Sequence, residues 1–317
     1  MNSMSDSDDT DLPLIPAIVG ATAIGKTSVA LELAENFNLE IVSCDSRQIY
    51  KYLDIGTAKP TESELQGRAY HLIDFVEPDR LFSAAHYREE AHRVMQQVFA
   101  RGHRPLVVGG TGLYLKALIS GFFSTPEPDM DYRKQLEKLP PEAIHRRLRE
   151  LDPSTAAEVP VGNKVRAMRA LEIVHLTGKA KSALMKEGNY PGQKYRYILF
   201  GLSCSRQKLY QFINSRVDKM IEDGLLAEVE NLCENGYRNS PVLKSTLGYR
   251  ELLAYLNGEL NLEVAVDLIK RKTRNYAKRQ LTWFRKTEGL IDVDTEAVNA
   301  AEILSERLNK FNLDTLS

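Results

Sequence analysis

The sequence predicts an α/β protein: a parallel sheet flanked by helices, interrupted by an inserted all-helical domain. Three observations carry this. Short apolar runs alternate with amphipathic helical segments over residues 13–121, as in strands covered on both faces. Residues 131–186 keep helical periodicity and show almost no strand signal. A strand pattern rich in apolar and aromatic residues, YRYILFGL, then returns at 195–202.

Residues 15–20 read as a buried strand and 27–36 as a helix. Residues 39–43 form a second strand, and 70–76 a candidate third. A helix is expected at 83–100, with Phe82, Ala85, Val94, Met95 and Val98 roughly on one side. An apolar strand at 105–109 leads into a helix at 113–120. The segments Ser124-Thr-Pro-Glu-Pro-Asp129 and Asn189-Tyr-Pro-Gly192 are breaks. Beyond the second, helices are expected at 205–223, 225–234, 249–256 and 262–286. The resulting domains are a disordered acidic tail (1–12), a core (13–121), a helical insertion (122–192), and the rest of the core with a basic helix (193–317).

Composition narrows the function. The chain has 317 residues, 43% of them hydrophobic and 27% charged, which suits about two soluble domains. Lys and Arg number 42 against 43 acids, which excludes a uniformly basic nucleic-acid binder but not a basic patch. Cys44, Cys204 and Cys233 are far apart and form no CxxC, as expected of a reducing, cytoplasmic compartment. No apolar run approaches a membrane span. The first twelve residues carry Asp6, Asp8, Asp9 and Asp11 and no basic residue, unlike a secretory signal. The six histidines show no metal-binding spacing.

The strongest local signal is Gly20-Ala21-Thr22-Ala23-Ile24-Gly25-Lys26-Thr27. It matches G-x-x-x-x-G-K-[ST] and lies between a predicted strand and a predicted helix. Such a loop wraps backbone N–H groups around phosphate under the field of the helix N-terminus. Lys26 would contact phosphate oxygens, and Thr27 could hold Mg²⁺. The core is therefore P-loop NTPase-like, yet the motif alone specifies only polyphosphate.

A Walker-B acid is missing. The strand Leu106-Val-Val108 ends in Gly109-Gly-Thr-Gly112. Thr111 could donate into the site, or the glycines could simply make a tight packed turn. The second strand ends in Ser43-Cys-Asp45-Ser46-Arg47-Gln48. Ligands of open α/β sheets bind beyond the carboxyl ends of the strands, so Asp45 is expected at the P-loop mouth. It could bind Mg²⁺, act as a base, or cap the next helix. Gln48 has the chemistry for bidentate contact with an adenine edge.

Residues 270–286, KRKTRNYAKRQLTWFRK, hold eight basic residues and no acid, with Tyr276, Trp283 and Phe284 interleaved. Arg271, Arg274 and Lys278 share one helical face. Basic charge tracks phosphate backbone and aromatics can stack on bases, although a solvated surface helix would read similarly. A second basic cluster, Arg146, Arg147, Arg149, Lys164, Arg166 and Arg169, lies in the insertion.

The order of these motifs resembles the tRNA dimethylallyltransferase (isopentenyltransferase) family. The matching stretches are GATAIGKT at 20–27, DSRQIY at 45–50, DIGTAKP at 54–60, GGTGLY at 109–114, GYREL at 248–252 and KRQLTWFR at 278–285. The resemblance covers about residues 15–290. No C-terminal Cys/His zinc-finger pattern follows, as in bacterial-type members. The resemblance implies transfer of a dimethylallyl group from dimethylallyl diphosphate to N6 of adenosine 37, just 3′ of the anticodon, in tRNAs reading codons that begin with U. It implies a monomeric cytoplasmic enzyme using Mg²⁺.

Under that resemblance the catalytic residues are Asp45, Thr111 and Arg133. The P-loop residues named above and Arg216 would bind diphosphate, with Thr27 on the metal. Contacts to tRNA are implied for Asp45, Ser46, Arg47 and Gln48, and for Val165, Arg166, Ala167, Met168 and Arg169. They are implied also for Ser245, Thr246, Leu247, Gly248, Tyr249 and Arg250. The last stretch is Lys278, Arg279, Gln280, Leu281, Thr282, Trp283, Phe284 and Arg285. The competing readings are an adenylate dimethylallyltransferase acting on free AMP, ADP or ATP, a P-loop small-molecule kinase, and a non-enzymatic RNA-binding module. A small nucleotide needs neither the helical insertion nor the basic helix.

Overall fold

The structure is a computed structural model that describes residues 12–121, 127–187 and 192–311. The acidic tail before Leu12, half of the break at 124–129 and most of that at 189–192 lie outside those residues. The chain divides into two compact units, Met1–Ile119 with Lys194–Ser317, and Ser120–Gln193.

Among the described residues the larger unit is built on six strands: β1 (Leu14–Gly20), β2 (Leu39–Ser43), β3 (Tyr70–His71), β4 (Arg104–Gly109), β5 (Arg196–Ser203) and β6 (Leu290–Asp294). Every pairing is parallel and the order is β3-β2-β4-β1-β5-β6. Parallel neighbours require crossovers, and helices supply them on both faces. Alternate residues therefore enter two different cores. Ile18, Leu106 and Phe200 pack on one side with Leu33 and Leu304. Ala17, Val19, Val107 and Leu199 pack on the other with Tyr87, Met95 and Leu115. A third core joins Ile49, Tyr50 and Leu53 to the helices Leu225–Glu234, Tyr249–Leu256 and Leu262–Phe284.

The third strand is shorter than the apolar pattern suggests. Leu72 (φ 60°) and Asp74 (φ 57°) adopt left-handed backbone and end β3 after two residues, while Val76 returns as a single bridge to Tyr50. Strand β6 and the helix Ala300–Lys310 were not expected from the sequence. β6 is an edge strand, with exposed Asp292 and Asp294 alternating around buried Val293, so it lacks the apolar run of an inner strand. Among the described residues, no helix is long and apolar enough to cross a membrane.

Among the described residues the smaller unit contains only helices, Met130–Glu137, Pro141–Leu151, Pro153–Glu158, Lys164–Thr177 and Lys181–Lys186. Leu136, Ile144, Leu148, Ala167 and Leu171 form its core. Asp152, fully buried, ties two helix starts together by accepting from Thr155 N–H at 3.0 Å and Ser182 N–H at 3.0 Å.

Candidate active site

Strand order places the predicted motifs side by side. β4 lies between β2 and β1, so the carboxyl ends of three adjacent strands carry Asp45, the Gly109–Gly112 turn and the P-loop. These ends and the helix Leu262–Phe284 enclose a cleft of about 110 Å³, lined by Lys26, Thr27, Asp45, Tyr70, Arg216 and Tyr276 among others.

The P-loop is shaped by its backbone. Gly25 (φ 90°) stands at the N-cap of the helix Lys26–Asn36, and Ala23 is also left-handed (φ 66°). This directs the helix N-terminus at the cleft. Gly20 has no room for a side chain, since a Cβ there would stand 2.8 Å from the Leu202 carbonyl oxygen.

Lys26 donates to the Ala21 carbonyl at 2.7 Å. Burial lowers its pKa to about 8, with Arg216 adding repulsion and Asp45 opposing the shift. Arg216, itself pushed down by burial, donates to the Thr22 hydroxyl at 3.2 Å. Two cations thus converge on the loop with one facing carboxylate. That electrostatic arrangement favours an anionic ligand.

Asp45 uses Oδ1 to accept from Arg47 N–H at 2.8 Å and Gln48 N–H at 3.3 Å. The capping reading is therefore correct for one oxygen. No protein hydrogen bond reaches Oδ2 among the described residues. Thr111 accepts from Ser46 N–H at 3.0 Å and donates to the Ser46 hydroxyl at 3.3 Å. Its turn is the tight packed kind: a Cβ on Gly109 would stand 2.1 Å from the Cys44 carbonyl oxygen, and one on Gly112 would meet the Trp283 ring at 2.4 Å. Cys44 is buried and its thiol is pushed up to about 12 by burial, leaving no reactive thiolate at neutral pH.

Tyr70, which the sequence did not single out, and Tyr276, noted there only as an aromatic of the basic helix, also line the cleft. Tyr70 and Tyr276 have hydroxyls pushed up by burial, Tyr276 to about 12, with Asp45 adding to both shifts. Thr57 and Ala58 bring in the 54–60 loop, whose Asp54, Ile55 and Gly56 N–H groups all donate to Glu228.

Several expected contact residues turn inward. Gln48 is buried and its amide donates to the Ala58 carbonyl at 2.9 Å, so it does not present a free edge to adenine. Ala167 and Met168 belong to the core of the smaller unit. Thr246, Gly248 and Tyr249 are buried, the last with its hydroxyl on Glu228 at 2.5 Å. Gln280 and Phe284 are buried, and Leu281 packs on the core. In the helical stretches the inner-face side chains are consumed by packing, while Gln48, Thr246 and Gly248 are buried in turns. Ser46, Arg47, Leu247, Arg250 and Trp283 are part-exposed. Val165, Arg166, Ser245, Lys278, Arg279, Thr282 and Arg285 are exposed. Arg274 does not share the outward face expected of it: it donates to Asn214 Oδ1 at 2.6 Å and lies 5.8 Å from the Tyr210 ring.

Arg133 lies in the smaller unit. Its Nε and Nη2 bond Glu172 at 2.7 and 2.9 Å, and Arg169 bonds the same fully buried carboxylate. Burial pushes the Glu172 carboxyl up, but the two guanidiniums outweigh it and hold it below the ordinary glutamate value. The stabilisation is present above that value and is lost as pH falls through the depressed one. Glu172→Ala leaves two guanidiniums facing each other without a counter-charge. It is expected to destabilise the unit by about 3 kcal/mol, read as faster amide exchange in the helix Lys164–Thr177; Glu172→Gln should cost less.

A parallel sheet, a glycine-rich loop at a strand end and two cations converging on that loop define a P-loop protein whose cleft is electrostatically suited to an anion. Residues 48–287 match the family model for IPP transferase, and the chain belongs to that family. A tRNA dimethylallyltransferase from Acetivibrio thermocellus is 43% identical over 299 residues, covering 93% of this chain and 96% of the relative. The full-length tRNA isopentenylpyrophosphate transferase from Bacillus halodurans is similar in structure, with a TM-score of 0.70 and 39% identity, covering 95% and 96% of the two chains. A eukaryotic dimethylallyltransferase acting on tRNA aligns with a TM-score of 0.82 at 28% identity, over 95% of this chain and 80% of the other.

Proposed function

We propose that this chain transfers the dimethylallyl group of dimethylallyl diphosphate to N6 of the adenosine 3′-adjacent to the anticodon of tRNA. The observation that carries this reading is that Asp45 and Lys26, just beyond neighbouring strand ends, and Arg216, from the helix Arg206–Glu222, line one cleft. One cleft thus holds both a base and a seat for a polyanionic leaving group.

The N6 lone pair is delocalised into the adenine ring, so the amine is a weak nucleophile. As N6 forms its bond to C1 of the donor, the C1–O bond breaks and diphosphate departs. Asp45 takes the N6 proton through its unbonded Oδ2. Lys26, Arg216 and the loop N–H groups stabilise charge growing on diphosphate. Thr111 orders the Ser46 backbone beside Asp45. Arg133, for which the resemblance implies a catalytic role, pairs with Glu172 in the smaller unit.

Among the described residues, no group of three or more His, Cys, Asp or Glu could hold a metal ion. A phosphate-bound Mg²⁺ needs less from the protein, since it takes most ligands from phosphate and water. The Thr27 hydroxyl in the cleft fits that limited donor set. Once bound there, Mg²⁺ would neutralise part of the diphosphate charge.

The exposed Lys278, Arg279 and Arg285 give an RNA backbone its footing, and a free nucleotide would leave them unused. The enzyme is proposed to act as a cytoplasmic monomer. Three such contacts predict that tRNA affinity falls about 20-fold between about 50 and 200 mM salt. The double variant Lys278→Ala/Arg285→Ala should flatten that dependence, as followed by filter binding. Radiolabelled dimethylallyl diphosphate offered with unmodified tRNA in one tube and with AMP or ATP in another tests the reaction. Label is expected in tRNA alone. Label in free nucleotide would favour the adenylate reading.

A further inference from the structure

Gln280 sits within the most basic stretch of the chain but faces away from solvent. It is 6% exposed and is flanked on its helical face by buried Ala277 and Phe284. Its amide bridges two loops. Oε1 accepts from Thr22 N–H at 2.9 Å, and Nε2 donates to the Gly110 carbonyl at 2.8 Å. One partner is a donor and the other an acceptor, so the amide has only one orientation that satisfies both. There is no slack: a Cβ on Gly110 would stand 2.4 Å from Nε2. Lys278, Arg279 and Thr282, on the same turns of helix, are exposed.

We propose that Gln280 is a positioning residue that couples the cationic outer face of the helix Leu262–Phe284 to the phosphate loop. RNA bound on that face thereby sets the geometry of the diphosphate cradle. The inference rests on the proposed reaction for the identity of the two ligands. Physically, the helix is a stiff rod, and a displacement at Lys278 or Arg279 arrives at Gln280 within the same turn. Hydrogen bonds at 2.8–2.9 Å weaken steeply when stretched or bent. Thr22 is held from two sides, by Gln280 on its N–H and by Arg216 on its hydroxyl, and it adjoins the left-handed Ala23. Loosening Gln280 therefore releases the first turn of the loop. By linkage, diphosphate must tighten RNA by the same factor that RNA tightens diphosphate.

The test measures inorganic diphosphate binding by calorimetry, with and without a saturating anticodon stem-loop RNA, in the native chain and in Gln280→Leu. RNA is expected to tighten diphosphate binding about fivefold or more in the native chain. In Gln280→Leu that gain should shrink below about twofold while affinity for RNA alone stays within about twofold, which a general loss of structure would not produce. Should Gln280→Leu prove poorly folded, Gln280→Glu carries the same comparison. It keeps an acceptor for Thr22 N–H and loses the donor to Gly110, and its coupling should fall likewise. Full coupling in a folded variant, or none in the native chain, overturns the proposal. A native chain that transfers no label to tRNA would instead refute the underlying reaction, so the two failures are distinguishable.

Discussion

Asp45→Asn is expected to lower prenyl transfer by about 10²- to 10⁴-fold, the usual worth of a positioned general base, while tRNA still binds. The substitution separates the two jobs of this side chain. Oδ1 organises the loop by accepting from Arg47 and Gln48 N–H groups. Asparagine retains an oxygen there, so the turn persists. What it removes is the basicity of Oδ2, which has no protein partner among the described residues. Initial rates with radiolabelled donor, beside filter binding of tRNA, give the answer. Near-native turnover would exclude Asp45 as the proton acceptor, and parallel loss of binding and turnover would make it a scaffold.

Lys26→Met should abolish donor use and yet stabilise the ligand-free protein. Burial and Arg216 lower the pKa of Lys26 from 10.5 to about 8, so folding disfavours its charged form. The sign follows from proton counting. Between about 8 and 10.5 the unfolded chain binds more protons than the folded one, so this residue makes stability rise with pH in that window. Below it the desolvation cost is fully present. Methionine removes that cost, and the melting temperature should rise by about 2 °C or more. Transfer should fall at least about 100-fold, because in the proposed reaction the charge growing on diphosphate loses one of the two cations that converge on the loop. In the native enzyme the donor KM should rise as pH passes about 8, since neutral Lys26 attracts phosphate less. A melting temperature that falls in Lys26→Met would show that Lys26 is satisfied in the free protein.

The parts of the molecule that could be read in advance are those whose geometry is written in consecutive residues. Inner strands announced themselves as apolar runs because both faces are buried. The P-loop and Asp45 were legible because each lies at a strand end, where α/β sheets bind ligands. The paired acids of β6 hid an edge strand that buries only Val293. The stretches for which the family resemblance implies tRNA contacts include both faces of a helix, although a helix shows only one side to solvent. Ala277, Gln280 and Phe284 recur at helical spacing inside the basic run, so their inward direction was readable; the bond from Gln280 to Thr22, 258 positions away, was not. Arg216 and Thr22 are likewise joined only by the fold.

The packing of Gly112 against the indole of Trp283 makes the cleft observable by eye, so to speak, with ultraviolet light. Trp283 is the chain's sole tryptophan. It is part-exposed, stands edge-on to Phe284 at 5.1 Å between ring centres, and rests on the turn that follows β4. Its emission therefore comes from one place in the molecule, three residues along the helix from Gln280. Ligand-induced changes in colour or quenching of that emission would time events at the second glycine-rich turn without any attached dye.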